Sequence, residues 1–154
     1  MIVFNKKDML QDTAAIESKY QLFIERVAAT KLVWALMSKT GWANSHSHDN
    51  EEVTVVPFWS ERAYAKICAR DDWRSYVPTE IPLAEFLESW CVGMAENETL
   101  AGINWDANML GKEIDALQVA LDILNRLSVI NSAIAFKNYS SISEFIGEIS
   151  ESPE

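Results

Sequence analysis

Six tryptophans, Trp34, Trp42, Trp59, Trp73, Trp90 and Trp105, are spread along a chain of 154 residues, each inside or at the edge of an expected element. An indole takes roughly 150–250 Å² out of water on burial and needs a partner for its N–H. Six of them at these spacings specify a folded core. They specify no reaction.

A chain of this length suits one domain, which buries about 68–70% of the surface its unfolded form exposes. With 49% hydrophobic and 23% charged residues the composition is that of a globular protein rather than a disordered one. No run of 18 apolar residues offers a membrane span. The segment from Met1 to Asp8 lacks the apolar stretch of a signal peptide, so a cytoplasmic location is expected. Cys68 and Cys91 fall on the apolar sides of expected helices, where a reduced thiol packs as a small hydrophobe.

The net charge of −10 is unevenly placed. Residues 1 to 50 carry six basic and five acidic side chains, and residues 51 to 154 carry seven and eighteen. An acidic surface repels phosphate backbones and anionic lipid, so neither nucleic acid nor membrane is an expected partner. A cationic protein partner suits it better, although charge of this size also serves solubility alone.

Ile16, Tyr20, Phe23, Ile24 and Val27 form one helical stripe, with Asp12 or Thr13 as its cap. Leu32 to Met37 and Trp42 to His48 are expected as a hairpin turning through Ser38-Lys39-Thr40-Gly41, and Val53 to Trp59 as a third strand. Ser60 offers an N-cap for a helix from Glu61 to Asp72 that buries Tyr64, Ile67 and Cys68. Ser75 to Pro82 is extended by its prolines. The clearest stripe follows in Leu83, Phe86, Leu87, Trp90, Cys91 and Met94, which places Trp90 inside. Thr99 to Trp105 and Gly111 to Ile114 are expected as strands. Asp115 with Gln118 resembles a capping box before a helix bearing Leu117, Leu121 and Leu124. Ser141-Ile142-Ser143-Glu144 is a second capping box, opening a short final helix with Ile142, Phe145, Ile146 and Ile149 on its apolar face. The fold expected from this order is α+β: one domain over residues 1–154, with a mainly antiparallel sheet of four or five strands and the helices chiefly on one face.

Read together, Gly41-Trp42-Ala43, Pro57-Phe58-Trp59-Ser60, Ala63-Tyr64-Ala65, Trp73, Ile81-Pro82-Leu83, Phe86-Leu87-Glu88-Ser89-Trp90 and Gly102-Ile103-Asn104-Trp105 resemble an uncharacterised family of small bacterial proteins, a domain of unknown function. The resemblance covers about residues 20–127, leaving 128–154 as an extension with a short helix. It implies a bacterial cytosolic domain and brings no catalytic or ligand residue with it. A looser likeness, in the strand, Phe-Trp-Ser and helix order, is to small α+β domains among toxin-immunity and regulatory proteins.

Three constellations carry possible chemistry. His46 and His48 share one face of a strand and are weak candidates for chelating a metal ion, but a zinc site needs a third ligand and Asp49 points the other way; the plainer reading is a solvated strand end. Arg62, Lys66, Arg70 and Arg74 recur every fourth residue, either paired with neighbouring carboxylates or forming a docking ridge for an acidic segment such as the tail from Glu148 to Glu154. Trp59, Asn104, Trp105 and Asp106 end two strands, where grooves open, though aromatics at strand ends also serve as lids on a core. Of the tryptophans, Trp59 and Trp105 are the expected functional ones. No nucleophile motif or phosphate loop is present. No cofactor is therefore expected. The function expected is a small binding or regulatory protein acting through protein contacts, of immunity-like type; the alternative is an enzyme or small-ligand protein with a pocket near Trp59 and Trp105.

Overall fold

The computed structural model describes residues 6–151. Helix α1 (Lys6–Thr30) starts well before the expected cap, so Asp12 and Thr13 lie within it. Its stripe is as expected: Tyr20, Phe23, Ile24 and Val27 are buried and Ile16 is half-buried. The chain then builds two sheets. In the first, β1 (Leu32–Ser38) lies between β2 (Gly41–Trp42) and β5 (Val77–Pro82), antiparallel to both. In the second, the order is β3 (Ser45–His46), β4 (Thr54–Phe58), β6 (Leu100–Ile103) and β7 (Lys112–Asp115), antiparallel except for the β4–β6 pair. The α+β reading and the mainly antiparallel pairing hold, but among the described residues seven strands form two sheets instead of one sheet of four or five.

The difference arises in the expected strand from Trp42 to His48. Gly41 and Trp42 pair with β1, whereas Ser45 and His46 pair with β4, so this segment passes from one sheet to the other. Buried Ala43 sits at the crossing and donates its N–H to Leu36 O at 2.8 Å. A single backbone bridge joins the sheets: Trp34 and Trp59 exchange N–H···O bonds, both of 2.8 Å.

Strand alternation divides the interior in two. Val33, Ala35, Phe58, Ala101 and Ile103 turn toward α1 and α5 and join the larger core. Leu36, Val55 and Trp59 turn the other way, joining Trp73, Trp105 and Cys68 in a smaller core closed by α2 (Arg62–Cys68). The helices are thus chiefly on one face, with α2 alone on the other.

Helix α2 is shorter than expected and begins after Glu61, not at a Ser60 cap. It ends at Cys68 and gives way to a 3₁₀ turn, Asp71–Trp73, that buries the Trp73 ring. Ala65 and Cys68 form its buried side; Ile67 is 54% exposed and Tyr64 half-buried, against expectation. From residue 83 three helical segments run end to end: α3 (Leu83–Glu85), a π-helical turn (Phe86–Cys91) and α4 (Val92–Glu96). The wider turn moves Trp90 off the buried stripe, leaving it half-buried while Phe86, Leu87, Cys91 and Met94 stay inside.

Helix α5 (Ala116–Val129) is capped by Asp115, whose carboxylate accepts the Leu117 N–H at 2.8 Å. Gln118 does not complete the box and donates to Asp122 instead. The buried face is Ala116, Val119, Ala120, Ile123, Leu124 and Leu127, so Leu117 and Leu121 flank it and only Leu124 of the expected trio is fully inside. Helix α6 (Ile142–Glu151) opens on the expected Ser141 cap and packs on α5, with Phe145 buried and Ile142, Ile146 and Ile149 beside it. Among the described residues no helix is long and apolar enough to cross a membrane.

Gly102 exposes how tightly the smaller core is filled. A Cβ there would lie 2.6 Å from Cε2 of Trp105. The ring cannot retreat freely, because its Nε1–H bonds Lys112 O and its own carbonyl accepts from Trp59. Gly102→Ala is expected to lower the unfolding free energy by about 1–3 kcal/mol, read from the midpoint of urea denaturation with an unchanged slope.

Candidate functional site

Strands β4 and β6 run parallel, and beyond the ends of such strands a crevice is the usual result. Here Phe58, Trp59 and Ser60 leave one strand beside Ile103, Asn104 and Trp105 leaving the other. Asn104 locks the two together from a left-handed backbone (φ 48°), a conformation asparagine tolerates better than most residues. Its Oδ1 accepts the Ser60 N–H at 2.9 Å and its Nδ2 donates to Ser60 Oγ at 3.2 Å and Lys19 O at 3.3 Å. Ser60 is therefore buried under this amide, which is why it caps no helix.

A cleft of about 380 Å³ opens outside this lock, between α1, α2 and the loop after β6. Leu22, Tyr64, Ile67, Trp105 and Ala107 give it an apolar lining. Lys19 and Asp106 meet at its edge, 3.2 Å apart. Three of the four residues expected around a pocket thus line one: Asn104, Trp105 and Asp106. Trp59 does not; its ring is 0% exposed, with the indole N–H given to Trp105 O at 2.9 Å. The sequence cannot show this, because a strand-end indole looks the same whether it caps a core or faces a cleft.

The basic stripe is divided. Arg62 and Lys66 are exposed on α2, Arg70 lies past its end and Arg74 follows the 3₁₀ turn. Arg70 donates to Ala107 O at 2.6 Å and so fastens the cleft loop; its contact with Asp71 is long, at 3.9 Å. Among the described residues Arg62, Lys66 and Arg74 take part in no ion pair. As far as Glu151 the acidic tail belongs to the helix Ile142–Glu151, which packs on α5, and residues 152–154 fall outside the described part.

His46 and His48 are both exposed, flanking buried Ser47. Glu113 holds this corner, accepting from Ser47 Oγ at 2.6 Å and from His48 N at 3.1 Å. Among the described residues no three His, Cys, Asp or Glu side chains are placed to hold a metal ion.

Two features went unforeseen. A polar seam between α1 and α5 carries Tyr20, whose hydroxyl donates to Asp122 Oδ2 at 2.5 Å, and Lys112, which pairs with Glu17 at 2.8 Å over the Tyr20 ring. Burial first, and then the Asp122 carboxylate, raise the Tyr20 hydroxyl far above its ordinary range. These groups already satisfy one another, as a structural seam requires. The second is an open groove beside Trp42 and Trp90, invisible to a strict helical period because the π-helical turn displaces Trp90.

The cysteines offer no nucleophile. Burial raises the Cys68 thiol, with Asp106 adding to the effect, and its Sγ donates to Asp106 O at 3.2 Å. Cys91 is fully buried and its thiol is raised further, by burial first and then by Asp115. Neither supplies the thiolate that covalent chemistry needs.

Residues 20–123 match the family model described as "Protein of unknown function (DUF2750)". The chain belongs to this family. The match takes in both sheets and every cleft residue except Lys19, and it ends at Ile123 within α5. No curated protein and no solved structure matches the chain.

Two measurements test the cleft's construction. Asn104→Ala leaves the Ser60 N–H buried without its acceptor, with an expected loss of about 1–3 kcal/mol in denaturant unfolding. Asp106 also has a signed pH effect. Burial raises its carboxyl, but the N–H groups of Leu110 and Asn108 and then Lys19 outweigh this, so it sits below its ordinary value. A depressed carboxyl stabilises the fold fully above the unfolded value of about 3.9 and loses that contribution as pH falls through the lowered one. The stability gap between wild type and Asp106→Asn should narrow below about pH 4 and stay constant from there to neutrality. A gap that widens in acid would contradict the assignment.

Proposed function

We propose that the protein is a small cytosolic binding protein of regulatory type, acting on another protein through the outer face of α2 and the adjoining cleft. The observation that carries this reading is the set of exposed cations Arg62, Lys66 and Arg74, which take part in no ion pair among the described residues, in a chain of net charge −10. Exposed Ile67 and half-buried Tyr64 lie on the cleft side of the same helix. An acidic polypeptide segment with an apolar side chain matches this chemistry: the side chain enters between Leu22, Tyr64 and Ile67, and the carboxylates meet the cations. Within that reading, an immunity-like role is the narrower form and rests on the likeness of the Phe-Trp-Ser and helix order.

The test is affinity capture with the folded chain as bait, against an Arg62→Glu, Lys66→Glu variant of unchanged circular dichroism. A partner with an acidic segment should bind the wild type roughly tenfold or more tightly than the variant and weaken as salt is raised. Retention of the same partners by both baits, or indifference to salt, defeats the proposal. The cleft's size also lies within the range of small-molecule sites. A metabolite that raises the melting temperature of the wild type, but not of Ile67→Asp, would favour the small-ligand alternative.

A further inference from the structure

The groove on the π-helical side is lined by Trp42, Asn44, Thr54, Ser89, Trp90 and Asn97 and has a volume of about 550 Å³. Its two indoles stand at right angles, centroids 4.7 Å apart and planes at 84°, with Phe58 behind Trp90 at 5.7 Å. Around them are amides and hydroxyls, with Val56 and Met94 as further apolar lining and Gly93 as bare backbone. Among the described residues no charged side chain lines this groove, although the chain carries 23 acidic and 13 basic residues.

We infer that this groove binds a neutral carbohydrate, most simply a short oligosaccharide. The argument is one of elimination and fit. With no cation in the lining, a phosphate or carboxylate gains no charge-assisted bond. With no carboxylate, an ammonium or guanidinium gains none either. A purely apolar ligand would cover the amide and hydroxyl groups of Thr54, Ser89, Asn97 and Thr99 without pairing them, as well as the Oδ1 of Asn44, whose Nδ2 donates to Trp42 O at 3.1 Å. A pyranose answers both halves of the lining, since its C–H face lies against an indole and its hydroxyls exchange neutral hydrogen bonds with amides and alcohols. The open groove suits a ligand that lies along a surface. The π-helical turn, a distortion often found at functional positions, is what brings Trp90 to this surface. Gly93 adds a second sign: a Cβ there would meet nothing within 4 Å, so the helix presents bare backbone to the groove although a side chain could begin there without a clash.

Gly93 also supplies the variant that keeps the test clean. Gly93→Leu meets no protein atom at its Cβ and should hold or raise the melting temperature, because glycine costs about 1 kcal/mol in a helix interior. Its side chain nonetheless fills the groove. The full chain is titrated by calorimetry and tryptophan fluorescence with cellotriose, maltotriose and tri-N-acetylchitotriose, with a glucuronate trisaccharide and adenosine as contrasts. At least one neutral trisaccharide should bind the wild type with a dissociation constant between about 0.1 and a few mM, with Gly93→Leu and Trp90→Ala each weakening it tenfold or more. No neutral sugar binding at about 10 mM overturns the inference. So does equal binding by Gly93→Leu, by the glucuronate sugar, or a preference for adenosine.

Discussion

Everything in this fold hangs on where β4 ends. Phe58 faces the larger core and Trp59 the smaller, and Trp59 is hydrogen-bonded in two directions, through its backbone to Trp34 and through its indole to Trp105. The first bond joins the two sheets; the second holds the start of the cleft loop against β4. Ser60, next in line, is fixed by Asn104. Three consecutive residues therefore set the relation between both sheets, both cores and the cleft. Buried hydrogen bonds of this kind are expensive to leave unmade, which gives a small region authority over distant parts of the chain.

The cleft and the aromatic groove arise by different routes. The cleft exists because parallel strands end side by side, with α2 following one and a loop following the other, and α1 closing the space between them. The groove exists because one helix is wound more loosely for six residues. They differ in character as well: one has cations and an apolar throat, the other aromatic walls and uncharged polar groups. Nothing in their linings is shared, so each can be altered without touching the other.

Much of the fold was legible in the sequence for reasons that can be named. The stripes of α1 and of residues 83–94, the Ser141 cap and the proline-bearing edge strand β5 are local signals, decided by neighbours within a few residues. The errors are non-local. The break between Trp42 and Ser45 depends on a second sheet that local pattern does not announce. Ile67 was expected inside because it is apolar, but α2 stops at Cys68 and turns Ala65 and Cys68 inward. Leu117 and Leu121, expected inside for the same reason, flank the buried face because the helix phase is set by packing against α1. At the candidate site, Asn104, Trp105 and Asp106, named for their strand-end position, line a cleft, whereas Trp59, named by the same rule, is buried in the smaller core.

The residues beyond the family match are not loosely attached. Backbone N–H groups of Lys137 and Asn138 grip the carboxylate of Glu88 at 3.1 and 2.7 Å, and Glu88 lies within the π-helical turn, two residues before Trp90. On the other side Lys31, at the end of α1, reaches Ser132 at 2.5 Å. The extension thus works as a brace between the end of one helix and the loosest turn of another. A relative shortened at this end would keep every residue of the aromatic groove, yet lose the strut that stiffens the turn carrying one of its walls.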